Sequence, residues 1–301
     1  MRRKLAAMTD GGDVCGDVFE EHRGRLFGIA YRILGTVSDA EDVLQDAWLA
    51  WRQAKGPVAS PGAYLARTVT NLALNRLTSA RARRETYVGP WLPEPLVAAP
   101  DVAEEVERAE SVSLAMLVVL ESLSPLERAV FVLREVFGYT HREIAADLGR
   151  SEAAVRQVAR RARAHVAARR PRFDATDEER RRVTEEFLHA AVTGDVAGMM
   201  KLLAPDVTVW TDGGGKRRAA LRPLHGADNA ARWIAGVRTR IPEPGLRWAT
   251  VNGRPGAVIT SRGETDTVVV LEVSGGRVAQ IHAVRNPDKL RHVSAGWQAS
   301  W

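Results

Sequence analysis

The sequence predicts a multidomain chain in which two all-α domains precede an α+β cone. Two observations carry that expectation. Through roughly the first 170 residues, apolar side chains recur at helical spacing between capping residues and glycine or proline stops. Beyond Pro171-Arg172-Phe173-Asp174 the pattern changes to two helices, a strand, a helix and then alternating runs of strand type. A length of 301 residues with 45% apolar content suffices for two or three domains with cores of their own.

The first element runs from Asp17 to Leu34, with Phe19, Leu26, Ile29, Ala30, Ile33 and Leu34 as its apolar positions and Gly35 as its stop. Ser38-Asp39-Ala40-Glu41 reads as a capping box for a second helix. Ala40, Val43, Leu44, Ala47, Trp48 and Trp51 make one buried stripe of it. Asp39, Asp42, Gln45 and Asp46 occupy the other side. Acids in a first turn favour the helix dipole; the second reading is contact with a basic protein surface.

After Gly56-Pro57, Ser60-Pro61 opens a helix from Gly62 to Ala82, with Leu65, Val69, Leu72 and Leu77 inward. Arg67, Asn71 and Asn75 lie four apart, and Arg76, Arg81, Arg83 and Arg84 make its end basic. Such a stripe bonds base edges and phosphates, or is a solvated face. A connector follows, in which Trp91-Leu92-Pro93-Glu94-Pro95-Leu96 is rigid, extended and apolar because two prolines fix it. Asp101 with Glu104 reads as a further capping box.

Ser124-Pro125-Leu126-Glu127 caps the next helix, with Leu126, Val130, Leu133 and Phe137 inward and Gly138 as its stop. Thr140-His141-Arg142-Glu143 caps a shorter one carrying Ile144, Ala145 and Leu148, and Gly149 makes the turn. Ser151 then caps a helix with Val155, Val158 and Ala162 inside and Arg156, Gln157, Arg160, Arg161 and Arg163 outside. Eight arginines face one acid, Glu152, between Arg150 and Arg172. Helix, glycine turn and basic helix is the geometry that enters a DNA major groove.

In the last third, helices are expected at 177–192, 195–203 and 227–240, and strands at 206–211, 246–251, 257–262, 265–273 and 277–284 in a curved antiparallel sheet. Asp212, His225 and His282 are the candidate chemical groups of a pocket in it, and Trp210, Trp233 and Trp248 its candidate walls. No acid and histidine are spaced to declare catalysis, so no catalytic residue is assigned. Asp212-Gly213-Gly214-Gly215-Lys216 is not a P-loop, because Trp210 stands where glycine and Arg217 where serine or threonine is required. Asn286-Pro287-Asp288-Lys289-Leu290 is a cap, a first-turn proline and a short helix.

A net charge of +6 and a pI near 9.9 favour a polyanionic partner. One cysteine, Cys15, excludes an internal disulfide framework and a cysteine-type zinc site, and fits a reducing cytoplasm. Met1-Arg2-Arg3-Lys4 precedes too short an apolar run for a signal peptide, and no run nears the ~20 residues of a membrane span. No metal, cofactor or membrane partner is expected.

Residues 39–48 resemble region 2.2 of bacterial sigma factors of the extracytoplasmic-function (ECF) class, residues 64–73 their region 2.4, and residues 124–168 their region 4. Leu202-Leu203-Ala204-Pro205-Asp206-Val207 leading into a strand resembles the SnoaL-like, NTF2-like superfamily. The hexamer at 91–96 and the motifs at 212–216 and 286–290 make the whole chain similar to the sigma-J-like subgroup, in which a SnoaL-like domain is fused behind region 4. The resemblance implies domains at 14–84 (region 2), 111–171 (region 4) and 177–291 (cone), with a linker at 85–110 and a tail at 292–301. It implies docking on the clamp helices of the largest subunit of core RNA polymerase by Asp39, Asp42, Gln45, Asp46 and Trp48. Ser60, Tyr64, Arg67, Asn71, Asn75 and Arg76, with the loop from Lys55 to Gly62, would read the melted minus-ten element. Arg150, Ser151, Glu152, Arg156, Gln157, Arg160 and Arg161 would read the minus-thirty-five duplex. The three subgroup motifs would make regulatory contacts, and no separate anti-sigma factor would be obligatory. The competing reading is a helix-turn-helix regulator with a small-molecule-sensing cone, and a third is an enzyme acting in that cone.

Overall fold

The computed structural model describes residues 14–54, 58–98, 112–169 and 175–294. The expected capping box at Asp101 and Glu104, and Lys55, Gly56 and Pro57 of the expected minus-ten loop, lie outside the described residues.

Three helices form the first unit: α1 (Val14–Leu34), α2 (Val37–Arg52) and α3 (Pro61–Glu85). Leu26, Ile29, Ile33, Val43, Leu44, Leu65 and Val69 are buried where they meet. The start of α2 corrects the expected box. Thr36 is the N-cap and makes no side-chain capping bond. The amides of Val37 and Ser38 go instead to the carboxylate of Glu94, more than fifty residues away, the second at 3.2 Å. A buried carboxylate satisfies two orphan first-turn donors at once and faces the positive end of the dipole, so tertiary structure outbids the local cap.

The second helical unit holds α4 (Leu114–Glu121), α5 (Pro125–Phe131), α6 (His141–Leu148) and α7 (Glu152–Arg169). Both capping boxes form: Ser124 with Glu127, and Thr140 with Glu143. Gly149 is left-handed, φ 61°, a conformation glycine adopts without penalty. The helix expected to run through Phe137 ends its α geometry at Phe131 and continues as one wide π turn, Val132–Val136. Beyond that turn the Phe137 ring lies under the Arg32 guanidinium, 5.3 Å from its centroid.

The cone comprises α8 (Asp177–Thr193), α9 (Val196–Leu202), β2 (Leu203–Asp212), β3 (Leu224–His225), α10 (Ala227–Arg238), β4 (Pro244–Val251), β5 (Arg254–Ser261), β6 (Glu264–Ser274) and β7 (Arg277–Val284). A 3-10 turn at Pro287–Leu290 and α11 (Arg291–Ser294) follow, so a helix crosses the boundary expected at residue 291. With β1 at Val97–Ala98, the sheet order is β1-β4-β5-β6-β7-β2-β3. Two features differ from a purely antiparallel cone. β2 and β7 pair in parallel, since the chain leaves β2 and returns to it through the whole meander. The edge strand β1, Val97–Ala98, belongs to the connector and pairs antiparallel with β4, Val97 opposite Val251.

Both faces of this sheet are covered. Val209, Ala257, Val269, Leu271 and Ile281 face α8 and α10 in one core. Val251, Val258, Val268, Val270 and Val284, with Trp210 against them, join the core of the helical units and connector. The cone is therefore cemented to the helices through its outer face.

Candidate functional site

The acidic face of α2 stands largely in solvent: Asp42, Gln45 and Asp46 are exposed and Asp39 is half-buried. Trp48 is half-buried, edge-on to Phe19 at 5.1 Å and under the Arg52 guanidinium. Leu49, beside it, is more than half exposed. Two of the acids are engaged. Arg76 of α3 donates from Nε to Asp39 Oδ1 at 2.7 Å and from Nη2 to Asp42. One guanidinium thus ties the expected polymerase contact to the expected minus-ten helix.

Ser60, just before α3, and Arg67 and Asn75 on it are exposed, and Tyr64 packs 5.8 Å from the Trp51 ring. Asn71 is not free for a base. Its amide donates to Asp147 O, at 3.2 Å, in the first helix of the helix-turn-helix. Nearby, Arg25 lies over the Tyr139 ring and Arg128 Nε donates to Arg32 O at 2.8 Å. The two helical units are packed on each other through α1 and through Asn71, one residue of the surface expected to meet the melted strand.

The recognition helix is the opposite case. Val155, Val158 and Ala162 are buried while Arg156, Gln157, Arg160, Arg161 and Arg163 are exposed. Arg150 and Ser151 stand exposed at its start, where Ser151 Oγ accepts from Ala154 N at 3.2 Å. Glu152 pairs with Arg156 within the helix at 2.7 Å, and Arg161 reaches Glu127 at 3.7 Å.

The three short motifs converge on the connector. The Asp212 carboxylate, fully buried, accepts from Lys289 Nζ at 2.7 Å, Leu92 N at 2.8 Å, Gly214 N at 3.0 Å and Tyr87 Oη at 2.5 Å. Lys289 Nζ also donates to Leu92 O at 2.5 Å and sits 4.0 Å from the Trp91 ring centroid and 5.0 Å from that of Tyr87. The ammonium is thus boxed by an acid, a carbonyl and two aromatic faces, the combination that stabilises a desolvated cation. Asn286 donates to Tyr87 Oη at 2.8 Å, and Lys216 pairs with Asp288 at 2.5 Å outside. Leu290 is buried beneath and Pro287 is exposed. Burial, then the adjacent Asp212, pushes the Tyr87 phenol far up, so it remains a donor.

The triple glycine has a steric reason. A Cβ on Gly213 would stand 2.1 Å from Arg217 O, and one on Gly214 2.3 Å from the Asn286 amide nitrogen. Gly215 lies exposed against Val88.

The rest of the hexamer runs between the two bodies. Leu92, Pro93, Glu94 and Pro95 are buried. Glu94 O accepts from Tyr31 Oη at 2.6 Å, and Tyr31 Oη accepts from Asn252 at 2.9 Å. Leu96 exchanges bonds with Asn252, N to Oδ1 at 3.0 Å and O from N at 2.8 Å. His292 meets Pro95 O at 2.7 Å. Tyr87, Tyr31 and Asn252 were not singled out by sequence, since a lone tyrosine or asparagine carries no spacing signal.

The expected pocket residues do not assemble. Of the six, Trp233 alone lines the cavity inside the cone. Asp212, His282 and Trp210 alternate with Thr211, Ile281 and Val209 and so face away from it. His225 and Trp248 are exposed at the sheet surface. Among the described residues no group of three or more histidine, cysteine, aspartate or glutamate side chains is placed to hold a metal. No described helix is long and apolar enough to cross a membrane.

Residues 18–83 match the family description "Sigma-70 region 2" and residues 113–166 match "Sigma-70, region 4". The chain is 39% identical, over 90% of its length and 92% of the relative's, to ECF RNA polymerase sigma factor SigJ of Mycobacterium tuberculosis. It belongs to the ECF RNA polymerase sigma factors. This sigma factor is also 28% identical to the probable ECF sigma factor SigI of M. tuberculosis, over 92% of the chain and 95% of that protein. The crystal structure of M. tuberculosis SigJ superposes with a TM-score of 0.75 and 36% identity, covering 92% of the sigma factor and 98% of SigJ. The likeness spans the cone as well as the helical units, and the separate helix-turn-helix regulator is not favoured.

Proposed function

We propose that this sigma factor docks on core RNA polymerase through Asp39, Asp42, Gln45, Asp46 and Trp48. Ser60, Tyr64, Arg67, Asn71, Asn75 and Arg76 then take the melted minus-ten strand, and the exposed residues of α7, with Arg150 and Ser151, take the minus-thirty-five duplex. The cone restrains this activity in cis. Its clasp on the connector keeps Asn71 against Asp147, so that promoter engagement requires the helical units to part. A separate anti-sigma factor is not obligatory in this scheme, and the cone acts as a regulatory rather than a catalytic unit.

The observation that carries the reading is the pairing, within one chain, of an exposed acidic helix face with an arginine-studded recognition helix. A solvated basic face would mix its signs; here the signs are segregated onto different helices. The test is run-off transcription with purified core polymerase on a promoter selected from a randomised pool. Wild type directs start-site-specific transcripts, and Asp42→Lys with Asp46→Lys loses both core capture and transcript. Retained capture by the double variant contradicts the docking assignment.

A further inference from the structure

The corner between α1 and α2, Gly35 and Thr36, is held from outside at both ends. Gly35 turns the chain with φ 77° and gives its amide to Tyr31 O at 2.7 Å. The last carbonyls of α1 and the first amides of α2 face this corner, and neither set finds partners inside its own helix. Arg128, on α5 of the second helical unit and 1% exposed, gives Nε to Arg32 O at 2.8 Å, at the negative end of α1. Glu94, buried on the connector, serves both helices. Its amide donates to Gly35 O at 2.9 Å, and its carboxylate accepts from the amides of Val37 and Ser38.

The cone places Glu94. Pro93 and Pro95 fix the backbone on either side of it. Glu94 O accepts from Tyr31 Oη, which accepts from Asn252 between β4 and β5, and the same Asn252 holds Leu96. The carboxylate therefore reaches the corner while the connector lies on the cone.

α2 carries a second cap that this arrangement leaves idle. Ser38 and Glu41 have the spacing of a capping box, yet Ser38 is already inside the helix and its Oγ turns to Glu94 Oε1 at 3.4 Å. Glu41 is drawn to Arg23 at 3.0 Å. The two caps start the helix at different residues. With Thr36 at the N-cap, the first helical bond runs from Ala40 N to Thr36 O, at 3.3 Å. With Ser38 there, it would run from Asp42 N to Ser38 O, and Val37 and Ser38 would leave the helix. Asp39 and Asp42 of the acidic face stand in the turn that changes.

We propose that Glu94 and Ser38 are alternative caps of α2, and that exchange between them positions the acidic face for polymerase. Glu94 sets the first turn while the connector is clasped, and Ser38 with Glu41 sets it once the connector leaves. Both act through the helix they start, as positioning residues. The inference rests on the docking assigned above to Asp39 and Asp42.

The experiment is amide hydrogen exchange of the full chain, read residue by residue by ¹⁵N NMR, with capture of core polymerase measured beside it. In wild type the amides of Val37, Ser38 and Ala40 exchange slowly. Glu94→Ala speeds these three by about tenfold or more and leaves the Glu41 amide protected. Lys289→Met, which loosens the clasp from its far end, does the same and serves if Glu94→Ala does not fold. Glu94→Gln, whose side-chain oxygen still accepts, behaves as wild type. Adding Ser38→Ala to either opened variant exposes the Glu41 amide as well, and Ser38→Asn in its place keeps it protected. Ser38→Ala alone leaves exchange in the free protein unchanged and weakens core capture about fivefold, the usual cost of losing an N-cap serine. Equal loss of protection throughout α2 in the opened variants, or a Glu41 amide indifferent to Ser38→Ala in them, overturns the two-cap scheme. Unchanged core capture by Ser38→Ala overturns its link to docking. Failure of the docking assignment itself reads differently: Asp42→Lys with Asp46→Lys would keep core capture while the exchange pattern stood as described.

Discussion

Lys289 Nζ and Asp212 Oδ2 meet at 2.7 Å with 6% and 0% of their side chains exposed, across 77 positions of sequence. The pair lies where cone and connector join, and the ammonium is shared with Leu92 O and the Trp91 ring. Removing one member leaves a desolvated charge, which costs more than the intact pair contributes. Lys289→Met is expected to destabilise the chain by about 3 kcal/mol, read as a lowered urea midpoint. Adding Asp212→Asn to it should recover part of the loss, giving a coupling above about 1 kcal/mol in a double-mutant cycle. Additive single effects would show that the pair is incidental.

Glu272 and His282 give opposing pH dependences. Burial raises the Glu272 carboxyl from 4.5 to about 7, with Arg254 and Arg180 offsetting part of the rise. Burial lowers the His282 imidazole from 6.5 to about 4. The folded chain holds the Glu272 proton longer than the unfolded chain, so this group costs stability as pH rises from about 4.5 to about 7. It binds the His282 proton later, so that group adds stability as pH rises from about 4 to about 6.5. The two slopes largely cancel in wild type. Glu272→Gln is expected to leave stability climbing across the acid range, and His282→Leu to leave it falling, each by roughly 2 kcal/mol. Urea midpoints from pH 4.5 to 7 check both signs.

Under the proposed scheme Arg76 bonds Asp39 and Asp42 in the closed arrangement and the melted strand in the open one. The side chains of its ion pairs with Asp39 and Asp42 are 20–51% exposed, and the pairs contribute under about 1 kcal/mol. Arg76→Gln therefore changes the melting temperature little while releasing Asp42; Asp39 keeps its bond from Thr36 Oγ1 at 2.6 Å. Affinity for core polymerase should rise about threefold, and promoter opening should fall because a strand contact is lost. Filter capture of labelled core and permanganate reactivity of the minus-ten region measure the two effects separately.

Arg156, Arg160 and Arg161 stand exposed on the recognition helix. Replacing Arg160 by alanine is expected to weaken minus-thirty-five binding by about 1–3 kcal/mol for a base contact, or to reduce the salt slope by about one for a phosphate contact. Capture of core polymerase should be unchanged. Footprinting of the holoenzyme at several salt concentrations distinguishes the two outcomes.

Local rules made the helix-turn-helix legible, because Ser124 with Glu127, Thr140 with Glu143 and left-handed Gly149 act within a few residues. The strands of the cone were legible for the same reason, and the run 277–284 ends where it was expected. Long-range competition hid the rest. Ser38 and Glu41 offer α2 a local cap, but Glu94 takes the amides from a segment whose path no periodicity reveals. Alternation put Asp212 and Trp210 on one face but could not say which face held the cavity. Both faces are buried, and β6 from Asp266 to Val273 carries no exposed residue to mark an outside. Tyr87 closes the clasp from the connector ahead of the hexamer at 91–96, at a position that no spacing marks.

Under the proposed scheme the clasp keeps the two helical units together until the promoter is engaged. Spin labels at Ser79→Cys on α3 and Arg142→Cys on α6, in a Cys15→Ser background, report their separation by pulsed electron resonance. The free protein should give one short distance, which lengthens in Lys289→Met and in the complex with core polymerase and promoter. A distance distribution unchanged in both would contradict the account.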